Sequence, residues 1–265
     1  MVTIPKKVSD RLSKEIGRFQ KILRMAKDRD VNESDTVTII VDILASVFGF
    51  DKFLEITSEQ AMRGTFCDLA IKLDEKLKYL IEVKAIGLNL KDNHLRQAIG
   101  YGATHGISWV VLTNGINWEI YKIRFEKPVD YDLVCSFDFL GLNPRKQDDQ
   151  SKMFLLCKEG IEKAAIEKFH DHVQSVNRFM VGAITLSAPV VSIIRRELRK
   201  ISPDVKVSDE EIEKILAFEV LKRDIVEGEA ADAAMKRVKK QLKKQANKKS
   251  ETSTAPVEPP KSVNE

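Results

Sequence analysis

The stretch TFCDLAIKLDEKLKYLIEVKAI, residues 65–86, constrains the fold more than any other part of the chain. Apolar side chains alternate with other residues on both sides of Asp74-Glu75-Lys76, the pattern of two antiparallel strands around a short turn. Cys67, Leu69, Ile71 and Leu73 share one face with Leu77, Tyr79, Ile81 and Val83. The other face takes Phe66, Asp68, Ala70 and Lys72, then Lys78, Leu80, Glu82 and Lys84. A turn centred on Glu75 sets Asp68 across from Glu82, with Cβ atoms about 4.5–5.5 Å apart and Lys84 two residues further on. Carboxylates placed opposite one another destabilise a sheet, and a divalent cation relieves the repulsion because hard cations take carboxylate oxygens. The register makes Asp68 and Glu82 candidates for a metal site with an ammonium beside it. The same pattern also describes a solvated polar face, on which Lys72 stands opposite Lys78 and offers no chemistry.

The residues around this hairpin suggest what packs on it. Val8, Leu12, Ile16, Phe19, Leu23 and Ala26 recur at helical spacing. A second helix starts at Asn32-Glu33-Ser34 and runs to Phe48, with Val37, Ile40, Val41, Leu44, Val47 and Phe48 on one stripe and Gly49 as its stop. Residues 53–60 read as a strand leading through a turn or bulge at Ala61-Met62-Arg63-Gly64 into the Asp68 strand, with Glu59 near its end. After Lys84 a helix opens in the polar run 89–93 and puts Lys91, His94, Gln97 and Tyr101 on one face. Residues 107–113 form a continuous apolar strand, Asn114-Gly115 is a turn, and 117–125 and 131–140 are extended, with Trp109 and Trp118 in the core.

The three separated motifs resemble a known family. Asp68 in one strand and Glu82-Val83-Lys84 in the next are similar to the PD-(D/E)xK nuclease signature, with Cys67 where the name of the motif has Pro. Gln97-x-x-x-Tyr101 resembles the extra motif of the branch that includes RecB-type nucleases. WVVLTNGINWEIYKI, residues 109–123, resembles the strand-turn-strand of the N-terminal nuclease domain of type I restriction enzyme R subunits. The resemblance covers about residues 30–140 and implies a metal-dependent nuclease acting on nucleic acid, DNA before RNA, with Mg²⁺ as cofactor and Mn²⁺ as its substitute. It implies catalytic roles for Asp68, Glu82 and Lys84, metal ligation by Asp68, Glu82 and the backbone carbonyl of Val83, and contacts to nucleic acid from Gln97 and Tyr101. Glu33 is a further candidate ligand, as the acid that many such nucleases carry on their first core helix; it is equally a favourable charge at a helix N-terminus. Asp42 reads better as an ordinary surface acid. The competing reading is a non-catalytic, nuclease-like binding or scaffold subunit of a defence or restriction system.

Length and charge set the remaining bounds. At 265 residues with 43% hydrophobic content the chain has room for one large domain or two modest ones. The expected fold is α/β, a restriction-endonuclease-like mixed central sheet flanked by helices and followed by a small all-helical C-terminal domain. The expected divisions are an N-terminal helix over 1–30, the nuclease-like domain over 31–145, closed by Gly141-Leu142-Asn143-Pro144-Arg145, a helical domain over 146–247, and a disordered tail over 248–265. Helices are expected over 153–173 and 191–200, and Ser208-Asp209-Glu210-Glu211 reads as a capping box. A net charge of +4 excludes a polycation, so any nucleic-acid footprint is local; MKRVKKQLKKQANKK, residues 235–249, is one such place. Three distant cysteines without CxxC spacing suit a reducing compartment, and the N-terminal residues lack the apolar run of a signal peptide. The most apolar stretch, 179–194, is short of the roughly 20 residues that span a bilayer and contains Pro189. These features predict a cytoplasmic protein with no membrane partner. A GxxxxGK[ST] phosphate loop does not occur, so a translocating motor or a specificity subunit would be a separate partner.

Overall fold

The structure is a computed structural model that describes residues 3–58 and 67–252, with side chains described as far as 244. The chain divides into two compact units, Met1–His170 and Asp171–Glu265. Glu59, the 61–64 turn, Phe66 and the last part of the tail, 253–265, lie outside the described residues.

The first unit opens with α1 (Lys6–Asp28), whose stripe Val8, Leu12, Ile16, Phe19, Leu23 and Ala26 is buried as its spacing requires. Each large side chain on that stripe contributes about 1.5–3 kcal/mol by leaving water. α2 (Glu33–Ser46) starts at Asn32, whose side chain accepts from the Asp35 N–H at 2.9 Å and meets one of the donors a helix start leaves unpaired. Its buried face is Thr36, Ile40, Ile43 and Leu44. That face is rotated from the expected stripe, so Val37 and Val41 pack only at its margin. Phe53 and Leu54, which the sequence pattern puts in a strand, stand exposed in a turn where the Asp51 carboxylate accepts from their backbone N–H groups.

Six strands follow in spatial order β1 to β6: β1 (Ile56–Ser58), β2 (Leu69–Leu73), β3 (Lys76–Val83), β4 (Trp109–Thr113), β5 (Asn117–Arg124) and β6 (Asp130–Asp138). All neighbours are antiparallel except β3 and β4, which run parallel. A parallel pair needs a crossover, and here a 3-10 turn (Asp92–Leu95) and α3 (Arg96–His105) supply it. α3 lies close to the sheet because Gly102 has no side chain: a Cβ there would meet Ile123 Cδ1 at 2.5 Å and the Ile107 carbonyl at 3.0 Å. Gly106 then ends α3 at a φ of 70°.

Both faces of the sheet are covered. Leu69, Ile71, Leu73, Tyr79, Ile81, Val83, Trp109 and Trp118 pack with α1 and α2 in one core. Cys67, Ala70, Leu80, Val110, Leu112 and Tyr121 pack under α3 in a second. The face of Ala70 and Leu80, expected to be polar, is therefore a core face too, with polar groups only at its end. Cys67 belongs to this second core and not to the face of Leu69.

The unit does not end at the turn 141–145. α4 (Gln147–Phe154), α5 (Lys158–Glu162) and the start of α6 (Ala165–Ser175) continue it to His170. Met153, Phe154, Leu155, Leu156, Cys157, Ala165 and Ile166 are buried in the α1–α2 core, which is why the boundary falls later than the Gly-Pro signal suggests. α1 is likewise part of this core and no separate element. One tie is explicit: Arg11 on α1 donates to both Glu159 carboxylate oxygens at 2.8 and 2.7 Å and to the carbonyls of Val47 and Phe48 at 2.9 and 3.1 Å.

The second unit is helical: α7 (Arg178–Thr185), α8 (Ala188–Ile201), α9 (Asp209–Ile215), a π-helical turn (Leu216–Val220), α10 (Arg223–Val226) and α11 (Glu229–Thr252). Ser208 caps α9 by accepting from the Glu211 N–H at 3.1 Å. α11 carries helix through 248–252, the first residues of the expected disordered tail. Among the described residues no single helix is long and apolar enough to cross a membrane; α7 and α8 pass that test only together, as a pair bent by 58°.

Candidate active site

Asp68 faces Glu82 by a route that alternation in the sequence does not reveal. The hairpin turn has two central residues, Asp74 and Glu75, both at positive φ (50° and 60°), with Leu73 paired to Lys76. Positive φ at both central positions is the type I′ geometry that matches strand twist. Extended along the strands, that turn alone would set Asp68 opposite Ile81, one residue out of step with Glu82. A bulge between Ile71 and Lys72 absorbs one extra residue of β3, so that Lys72 pairs with Leu77 but Leu69 pairs with Ile81. The step after Leu69 and Ile81 brings Asp68 to Glu82. The two-residue turn itself removes the expected Lys72–Lys78 opposition, since it pairs Lys72 with Leu77; Lys72 forms an ion pair with Glu75.

Four sequence-selected side chains, those of Glu33, Asp68, Glu82 and Lys84, come together at this end of the sheet. The Val83 N–H donates to Asp68 Oδ2 at 2.6 Å, so the Asp68 carboxylate takes over where the β2–β3 ladder stops. Lys84 Nζ lies 2.8 Å from Glu82 Oε1, 2.7 Å from the Val83 carbonyl oxygen and 3.5 Å from Glu33 Oε2. Glu33 reaches this point as the first residue of α2. Lys84 itself is fixed by its backbone N–H, which donates to the Thr113 carbonyl at 2.8 Å beside the parallel ladder with β4.

Burial and charge set the protonation of this group. Burial pushes the Glu82 carboxyl up, the hydrogen bond from Lys84 pulls it down, and the Asp68 charge adds to the rise; the carboxyl stands at about 7. Burial also lowers Lys84, but its bond to Glu82 and the charges of Glu82, Asp68 and Glu33 outweigh this and leave the ammonium above its ordinary value. The two shifts agree once the charges are counted. Lys84 sees three carboxylates, whereas Glu82 sees one ammonium and two carboxylates.

Glu82 is 6% exposed, and its Oε2 is buried without a hydrogen-bond partner. An unpaired buried carboxylate oxygen is costly, and its presence asks for a further positive group. Among the described residues no cluster of three or more His, Cys, Asp or Glu side chains has the spacing of a metal centre. The oxygens of Glu82, Val83 and Glu33 converge instead on one cation, the Lys84 ammonium. The donors here, carboxylate and carbonyl oxygens, are of the chemical kind that hard divalent cations take.

Among the described residues no hydrogen bond joins Gln97 or Tyr101 to Glu82 or Lys84. Gln97 is exposed on α3; Tyr101 packs at the edge of the second core and stacks on His105, with ring centroids 3.9 Å apart. His94 has a structural task, its Nδ1 accepting from the Lys91 N–H at 3.3 Å where the crossover turn begins. Asn114, a plain turn residue by its sequence, does more. It is 3% exposed and donates to the Leu88 carbonyl at 2.8 Å while accepting from the N–H groups of Ile116 and Asn117, which ties the loop after Lys84 to the end of β4. Its Asn-Gly context signals a turn, and only the fold shows which loop the side chain holds.

No protein-family model, curated protein or solved structure matches the chain.

Proposed function

We propose that the chain is a metal-dependent nuclease that hydrolyses phosphodiester bonds, with DNA as the favoured substrate. The observation that carries this reading is the buried Glu82 carboxylate, with one oxygen unpartnered, set beside Asp68 and Lys84. The resemblance of Asp68, Glu82-Val83-Lys84 and Gln97-x-x-x-Tyr101 to the PD-(D/E)xK pattern supports it.

Asp68, Glu82 and the Val83 carbonyl would hold Mg²⁺ or Mn²⁺, with Glu33 as a further ligand. Such an ion supplies Lewis acidity toward a phosphoryl oxygen and lowers the pKa of bound water. Lys84 has two tasks in this reading. Without the ion its ammonium neutralises the acids, as its bonds to Glu82 and Val83 indicate. With substrate in place it stabilises negative charge on the phosphoryl group. Gln97 and Tyr101 would hold the substrate backbone, which positions a strand without reading its sequence. Three buried cysteines, far apart in sequence, agree with a cytoplasmic location.

The test is cleavage of plasmid, linear and single-stranded DNA and of RNA with Mg²⁺ or Mn²⁺, alongside Asp68→Ala and Lys84→Ala proteins. Metal-dependent cutting that both substitutions abolish is the expected result. Cutting that survives in both variants overturns the site assignment, and no cutting on any substrate favours the scaffold reading.

A further inference from the structure

α11 carries two opposed faces. Ala234, Met235, Val238 and Leu242 recur three and four residues apart and pack with Phe179, Met180 and Ala183 of α7. At about 100° per residue, Lys236, Arg237, Lys239, Lys240, Lys243 and Lys244 fall on the opposite arc, and all six are exposed. The sequence has no acid from Met235 to Ser250.

Among the described residues none of these six cations forms an ion pair with a carboxylate. Several cations elsewhere in the same unit are paired, Arg178 with Asp224, Arg195 with Asp209 and Arg223 with Glu227, whereas α11 gathers these six, without a carboxylate partner among the described residues, on one face. On α11 the side chains of Lys236 and Lys240, Lys239 and Lys243, and Lys240 and Lys244 are four residues apart and repel. The helix dipole does not account for them. It favours cations in the last turn, and the helix runs on to Thr252, well past these six.

We infer that this face of α11 binds the phosphate backbone of nucleic acid without regard to sequence. The choice of polyanion rests on the nuclease reading, whereas the surface itself is independent of the Asp68–Glu82–Lys84 site. Lysine-rich helices also bind anionic membranes, but they do so by sinking an apolar face into lipid. The apolar face of α11 is occupied by α7, which leaves charge alone to recruit a partner.

The experiment is fluorescence anisotropy of the full chain on labelled duplexes of two unrelated sequences, in EDTA, across a salt series. Each phosphate neutralised adds about 0.9 to the slope of log affinity against log salt. Replacing Lys236, Lys239, Lys240 and Lys243 together by Gln is expected to flatten that slope by about 3.6 where each meets one phosphate, and to weaken binding on the order of tenfold or more at low salt. Replacing the same four by Arg keeps both, and far-ultraviolet circular dichroism checks that the helix persists in each. Equal slopes for the Gln variant and the wild type overturn the inference. So does binding to phosphatidylserine vesicles with none to the duplexes. Because EDTA prevents metal-dependent turnover, failed cleavage and failed backbone binding are read separately.

Discussion

Glu82→Gln removes a charge while keeping the shape of the side chain, and so isolates the penalty of ionising a buried carboxyl. The folded chain holds this proton up to about pH 7, against 4.5 for the ordinary group. Below the lower value both states are protonated. Between the two values the folded state binds the proton that the unfolded state has lost, so stability falls as pH rises, and above the upper value the full penalty is present. Linkage between pH 5 and pH 8 gives a loss of about 2.5 kcal/mol, and at 6% exposure solvent screening removes little of it. That is a large share of the roughly 5–15 kcal/mol that holds a domain together. Both tryptophans, Trp109 and Trp118, lie in the first unit, so their fluorescence follows the part of the chain that carries Glu82. Urea unfolding of wild type and Glu82→Gln in EDTA at pH 5, 6, 7 and 8 should show the wild type losing about 2.5 kcal/mol relative to the variant, roughly 1 M in midpoint. A difference that stays flat or grows in the wild type's favour would show that Glu82 is ionised throughout, and the burial reasoning would fail.

Other consequences follow from the packing. Arg11→Met leaves Glu159 and the Val47 carbonyl without their Arg11 donor and takes one of two donors from the Phe48 carbonyl, which keeps the Lys158 N–H, and should destabilise the first unit by about 3 kcal/mol in the same urea assay; a loss under about 1 kcal/mol contradicts this. Gly17→Ala and Gly160→Ala form a pair with opposite signs. A Cβ at Gly17 on α1 meets nothing within 4 Å, so alanine should stabilise by about 0.5–1 kcal/mol, whereas at Gly160 it would run into the Phe154 carbonyl oxygen and should cost about 2 kcal/mol or more. Similar midpoints for the two variants would refute the packing seen at Gly160.

The hairpin is legible because its alternation is strong, yet the expected register reaches the right pair through two local errors that cancel. A turn centred on Glu75 and no bulge gives the same Asp68–Glu82 opposition as a two-residue turn with a bulge at Ile71/Lys72. Alternation reports which residues share a face, and it is blind to one inserted residue. The second core is less visible. Ala70 and Leu80 look like members of a polar face because Asp68, Lys72, Glu82 and Lys84 surround them in sequence, but the charged members sit at the strand ends while α3 covers the middle. The end of the first unit is hidden for another reason. Gly141 to Arg145 is a genuine break in local structure, and burial of Met153 to Cys157 against α1 and α2 is a long-range contact that no local signal reports. The approach of Glu33 to Lys84 is of the same kind: the sequence marks the helix start, and only the fold brings it to the end of the sheet.

The central claim is that Asp68 and Glu82 form a divalent-cation site, and a calorimetric titration of Mg²⁺ into the metal-free chain at pH 8 tests it most directly. Saturable binding of Mg²⁺ that Glu82→Gln abolishes, with the tryptophan fluorescence of the folded unit unchanged, is the result the account predicts. Absence of binding to the wild type, or equal binding to both proteins, would contradict it.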